Sequence, residues 1–120
     1  MKNKKVVLNN SVSVNYDDIV HIQAKNNGSV IILTDNSIHE SIISIDKLEW
    51  ELPKNIFMRV HPNHIINKDF LNKYYTETSK WIQLQNGEKI PVSNKLVKNQ
   101  NQNIFYKILK KIFSHNDNIT

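Results

Sequence analysis

Two histidines, His61 and His64, stand three residues apart in the stretch RVHPNHIINK (59–68), with Pro62 and Asn63 between them and Arg59 and Lys68 at its ends. Three kinds of chemistry use such a set. A His-x-x-His pair on one helix face can hold a metal ion. Imidazole, amide and ammonium groups in a loop can hold a nucleic acid, or they can satisfy one another inside a fold. Pro62 argues against the helix, because its ring and missing N–H break the backbone ladder. Zinc wants three or four ligands, and His21, His39, His115 and the scattered carboxylates have no supporting spacing. No metal and no other cofactor is expected. Enzymatic chemistry has equally little support. With only Gly28 and Gly87 the chain has neither a glycine-rich phosphate loop nor a Gly-x-Ser-x-Gly elbow. With no cysteine it has no thiolate and no disulfide. The pair Asp17–Asp18 reads as the start of a strand, and the chain is expected not to be an enzyme.

Nucleic-acid binding fits the polar segments better. KNNG (25–28), HPNH with the following NK (61–68) and SNKLVK (93–98) each combine short side chains able to read base edges with a nearby cation. Asparagine can pair bidentately with adenine, and lysine neutralises phosphate. Taken singly, each segment reads equally as a solvated turn. The charge distribution points the same way. Residues 1–50 carry five Lys/Arg against six Asp/Glu, whereas residues 51–120 carry eleven against five. The net charge of +5 therefore lies in the second part of the chain. It suits an anionic partner without establishing one.

The elements that must position these groups are short. In 120 residues, 39% hydrophobic and 22% charged, there is material for one core. No apolar run spans a membrane or makes a secretory signal, so a cytoplasmic location is expected. Residues 17–24 and 29–34 read as strands joined by the KNNG turn, in which Asn and Gly tolerate positive φ. TDNS (34–37) is a second turn, leading into a short strand IHES. In SIISIDKLEWEL (41–52), Ile42, Ile45, Leu48 and Leu52 fall at helical spacing before Pro53, which predicts one short internal helix. Residues 56–60 and 64–67 return to strand character. Strands follow at FLNKYYTET and KWIQLQ, and Asn86-Gly87 is the strongest hairpin signal in the chain. Val60, Ile65, Ile66, Trp81, Ile82, Leu84, Ile90 and Val92 are the expected core, with Asn67 a structural amide satisfying backbone groups. Residues 102–114 predict a C-terminal amphipathic helix, with Ile104, Phe105, Ile108, Leu109, Ile112 and Phe113 on one side and Lys107, Lys110 and Lys111 on the other. No recognition helix of the helix-turn-helix kind is visible, so any DNA reading would come from loops.

Three stretches together resemble the LytTR family of bacterial DNA-binding domains. They are the strand–turn–strand opening IVHIQAKNNGSVIILTDNS, the segment Phe57-x-Arg59-Val60-His61-x-x-x-Ile65-Ile66-Asn67, and the closing Leu84-x-Asn86-Gly87-x-x-Ile90-Pro91-Val92-Ser93. The match runs from Ile19 to Lys98. The resemblance implies a mostly β fold, an elongated arrangement of small antiparallel sheets. It would comprise an N-terminal extension with a short strand (1–17), the DNA-binding domain (18–99), and a C-terminal helix and tail (100–120). It also implies a response-regulator output domain that reads imperfect direct repeats in promoters through loops entering successive major grooves. The family's contact loops map onto the tip at 25–28, onto Pro62 and Asn63, and onto Asn94. Lys25, Asn26 and Asn27 are the expected contacts of the first segment. His61, Asn63 and Lys68 are those of the second, and Asn94, Lys95 and Lys98 those of the third.

The chain departs from the family pattern at two of these places. Pro62 stands where a basic residue commonly follows the motif histidine, and Asn94 where an arginine commonly follows the serine. Only about 18 residues precede the first matched strand, too few for a phospho-acceptor receiver. A lone regulator is expected, controlled by abundance, by homodimer formation on double-stranded promoter DNA, or by a small membrane-protein partner of the kind found with such lone family members. No small-molecule substrate is expected. The rival expectation is a protein-interaction module that keeps the fold and has lost useful DNA affinity.

Overall fold

The computed structural model describes residues 5–7, 12–74 and 81–93. The expected C-terminal helix and the positions Asn94, Lys95 and Lys98 lie outside the described residues. Strands β1 (Lys5–Val7) and β2 (Ser13–Asn15) pair as a two-stranded antiparallel ribbon. A five-stranded antiparallel sheet follows, made of β3 (Ile19–Lys25), β4 (Gly28–Leu33), β5 (Ile38–Ser41), β6 (Phe57–His61) and β7 (His64–Asn67). Its order is β5-β4-β3-β7-β6, with helix α1 (Ile45–Glu51) in the connection from β5 to β6. The last sheet holds β8 (Leu71–Tyr74), β9 (Trp81–Leu84) and β10 (Lys89–Pro91) in the order β10-β9-β8.

Both faces of the five-stranded sheet are covered, which explains the buried run at the start of β3. On one side Ile19, Ile22, Ile31, Phe57 and Ile65 pack with Ile45, Leu48 and Leu52 of the α1 region and with Val6 and Val14 of the ribbon. On the other side Val20, Met58, Val60 and Ile66 pack with Ile82, Leu84, Ile90 and Val92 from the small sheet. A simple two-residue alternation would not bury Ile19, Val20, His21 and Ile22 in succession. The β3–β4 register shifts between Ile19 and His21, and this bulge reassigns the side chains that follow it. Asp17 and Asp18, expected as the start of the strand, belong instead to a 3-10 turn (Tyr16–Asp18) before it.

The internal helix starts later than the apolar spacing predicts. Ser44 caps it, its side chain accepting from the Lys47 N–H at 3.2 Å. The residues before it are held extended. Ile43 donates its N–H to Ser41 Oγ at 3.0 Å, and its carbonyl accepts from Ser29 Oγ at 2.8 Å. Ile42 is therefore outside the helix and 84% exposed. The helix is held by Leu48, which is fully buried; burial of one leucine stabilises by about 2 kcal/mol.

Two further expectations change in detail. Trp81 is half-buried, with Lys89 Nζ 4.5 Å above its ring, and the rest of the expected core is buried. The turn around Asn86-Gly87 is a three-residue loop. Gly87 alone takes positive φ there (+93), and its N–H bonds to the Leu84 carbonyl at 2.9 Å. This is a hairpin closed by a left-handed glycine. Asn67 sits 1% exposed, donating to the Ile19 carbonyl and accepting from the Asp69 N–H, both at 2.9 Å.

Candidate nucleic-acid interface

The tip between β3 and β4 is a two-residue turn, with Lys25 opposite Gly28. Asn26 takes φ +51, a conformation asparagine tolerates better than most residues. Gly28 serves a different purpose from the one its place in a turn suggests. A Cβ there would lie 2.1 Å from the Ser41 carbonyl oxygen of β5, so the glycine permits close approach of backbone. Lys25, Asn26 and Asn27 are all exposed, and Lys25 Nζ lies 3.2 Å from Glu40.

The turn between β6 and β7 pairs His61 with His64, leaving Pro62 and Asn63 exposed at its apex. Asn63 donates its N–H to His61 Nδ1 at 3.1 Å. Arg59, the cation that precedes the turn, is 8% exposed and turned inward. Its Nε donates to the His61 carbonyl at 3.1 Å and its Nη2 to the Pro62 carbonyl. Its Nη1 reaches Asp46 at 3.0 Å and Glu49 at 2.6 Å on α1.

Antiparallel pairing of β3 with β7 sets the tip and the turn side by side at one end of the sheet. Gln23 lies opposite His64, and the Ala24 N–H donates to the Asn63 carbonyl at 2.9 Å. Lys25, Asn26, Asn27, His61 and Asn63 are thus brought together. Lys68 is not among them. It begins the 3-10 turn at the far end of β7, with its N–H on the Ile56 carbonyl, and burial holds its ammonium pKa below the usual lysine value. For the third segment, the Ser93 N–H donates to the Val60 carbonyl at 2.7 Å. The residue before Asn94 is therefore tied to the strand that leads into His61.

Behind the turn lies a histidine cluster that sequence spacing does not show. The rings of His21 and His64 stack at 5.0 Å, and those of His61 and His64 lie 5.2 Å apart. His21 Nδ1 is 3.4 Å from Glu88 Oε1 without the alignment of a hydrogen bond. Burial keeps His21 below the ordinary histidine pKa against the opposing pull of Glu88. His64 is lowered to about 4, by burial first and then by the neighbouring His21 and His61. Both rings are therefore neutral near pH 7. Among the described residues no three His, Asp or Glu groups have the arrangement of a metal site.

Residues 9–104 match the family model of the LytTr DNA-binding domain. The chain belongs to the LytTR family. A solved LytTr DNA-binding domain from Bacillus cereus, in a protein described as a methyl-accepting/DNA response regulator, is similar in structure. The TM-score is 0.71 at 22% identity, over 89% of this chain and 97% of that chain. At that identity the likeness carries the fold, to which the three small antiparallel sheets and one α-helix found among the described residues belong. No curated protein sequence matches the chain. Among the described residues of this LytTR domain, no helix is long and apolar enough to cross a membrane.

Proposed function

We propose that this LytTR domain is a sequence-specific transcriptional regulator that reads the major grooves of promoter direct repeats through its loops. The observation that carries this is the shared edge formed by the tip at 25–28 and the turn at 61–64. The edge presents lysine, asparagine and histidine and is locked by the bond from Ala24 to the Asn63 carbonyl. Lys25, Asn26 and Asn27 contact one groove segment, and His61 and Asn63 the next. Asn94, Lys95 and Lys98, which follow Ser93, are the expected contacts of the third segment. Lys68, at the other end of β7, serves through the phosphate backbone. Lysines supply the counterion-release contribution, and asparagines or histidine the hydrogen bonds to base edges or phosphate. Asn63 and Asn94 favour adenine where an arginine would favour guanine, because asparagine pairs with adenine N6/N7 and arginine with guanine O6/N7.

Selection of bound duplexes from a random pool, followed by affinity measurement across a salt series, tests this. The expected result is an A-containing repeat consensus, bound below micromolar strength and lost steeply as salt rises. A guanine consensus at the matching positions sinks the adenine assignment. No enrichment of any duplex sinks the regulator.

The second reading is a protein-interaction module. Trp50 on α1 is 83% exposed and Ile42 84% exposed, and large apolar groups left in water at this level suit a protein partner. A homodimer on DNA or a membrane-protein regulator would use such a surface. Retention of the chain by a partner without any duplex affinity favours this second function.

A further inference from the structure

We propose that Arg59 is the positioning residue of the turn at 61–64, and that helix α1 sets the turn's place through it; the proposal rests on the DNA-binding reading. A cation at a strand end beside a DNA-facing loop is the usual candidate for a phosphate contact. The geometry here is opposite. The guanidinium is buried, and all three of its nitrogens donate to acceptors of the chain. Two nitrogens hold the consecutive carbonyls of His61 and Pro62, and the third holds Asp46 and Glu49. A planar fork suits this arrangement, because it fixes two acceptors in one plane while its charge is neutralised from the other side.

The consequence is directional. The carbonyls of residues 61 and 62 belong to the peptide units that orient Pro62 and Asn63. With both carbonyls tied inward, the Asn63 amide is aimed at His61 Nδ1 and its side chain at solvent. The β6–β7 register shifts between Arg59 and His61, so the regular ladder does not hold this end of the hairpin by itself. Arg59 supplies the hold that the irregular pairing lacks. Asp46 and Glu49 lie on successive turns of one helix face, so a displacement of α1 moves both anchors together.

Two measurements on Arg59→Lys and on the double variant Asp46→Asn/Glu49→Gln test the proposal. Amide hydrogen exchange reads the turn without DNA, and binding of the selected duplex across a salt series reads its effect. Lysine keeps the charge and loses the fork. Arg59→Lys is expected to speed exchange of the Asn63 and Ala24 amides while Ile22 and Ile65 stay protected. It should also weaken the selected duplex by roughly tenfold, the scale of one lost base contact, with the salt slope unchanged. The double variant shifts both readouts in the same direction.

Wild-type exchange and wild-type affinity in Arg59→Lys overturn the proposal. Exchange that rises equally at Ile22 and Ile65 also overturns it, since that marks a purely global role. Arg59→Met with an unchanged turn and a salt slope shallower by about one assigns the arginine to phosphate instead. If the wild-type chain enriches no duplex, the DNA-binding reading fails on its own, and exchange at Asn63 still decides whether Arg59 holds the turn.

Discussion

His21 Nε2 and His64 Nδ1 lie 2.9 Å apart with their rings stacked, joining the middle of β3 to the first residue of β7. One proton between the two nitrogens makes this bond, so the neutral pair is complete. A second proton finds a buried ring on one side and His61 on the other, with Glu88 as the nearest carboxylate to His21. The pair, one ring buried and one half-buried, lies directly behind the turn that carries Asn63.

Stability should therefore fall in mild acid. The unfolded histidine takes up its proton near 6.5, whereas folded His64 does so only near 4. Between those values the unfolded chain binds more protons, so stability is full above about pH 6.5 and declines as pH falls toward 4. The lowered His21 adds in the same direction. The melting temperature at pH 5 is expected to be below that at pH 7.5. An NMR titration placing the His64 midpoint near 6.5 would contradict the assignment.

Gly28→Ala should destabilise the fold by about 2 kcal/mol, the scale of overpacking in a tight site. The added methyl meets the Ser41 carbonyl at 2.1 Å, and backbone cannot swing aside as a side chain can. Gly87→Ala meets nothing within 4 Å and is strained only by its φ of +93; that conformation costs roughly 1–2 kcal/mol. Urea unfolding of the two variants distinguishes these causes, and loss of protection in β5 is expected only for the first.

Asn67→Ala removes a donor to Ile19 and an acceptor for Asp69 in a site 1% exposed to water. A buried carbonyl left unpaired costs about 1–3 kcal/mol, and the 3-10 turn at 68–70 loses its cap. A midpoint of chemical unfolding equal to the wild type would remove Asn67 from the structural role.

Pro62→Lys places a cation where LytTR relatives commonly carry one. Pro62 is exposed, and its carbonyl, the group Arg59 holds, survives the change. Affinity for duplex DNA should rise, and the salt slope should steepen by about 0.9, one phosphate's worth of released counterion. An unaltered slope would place position 62 away from the DNA backbone.

Much of this was legible in the chain itself. The β hairpins, the core positions Ile65, Ile66, Ile82, Leu84, Ile90 and Val92, and the family motif all follow from local pattern. Side-chain periodicity and turn chemistry are set by neighbours a few residues away. Ile42 was misplaced for the same reason. Its spacing fits a helix, but the hydrogen bonds that Ile43 makes to Ser41 Oγ and accepts from Ser29 Oγ hold that stretch extended. Trp81 shows the limit of counting apolar mass, since it is only half-buried, with Lys89 Nζ over its ring.

By itself the sequence determined the family, the strand–turn order and the residue types available at each loop. Only the tertiary structure decided what RVHPNHIINK does with them. Arg59 could be read as a phosphate contact until the fold buried it against carbonyls 2 and 3 residues on and carboxylates 10 and 13 residues away. His64 looked like a partner for His61 until β3 brought His21 from 43 residues away. Burial and long-range pairing arise when sheets stack, and no local spacing encodes which ring or carboxylate will arrive opposite a given strand.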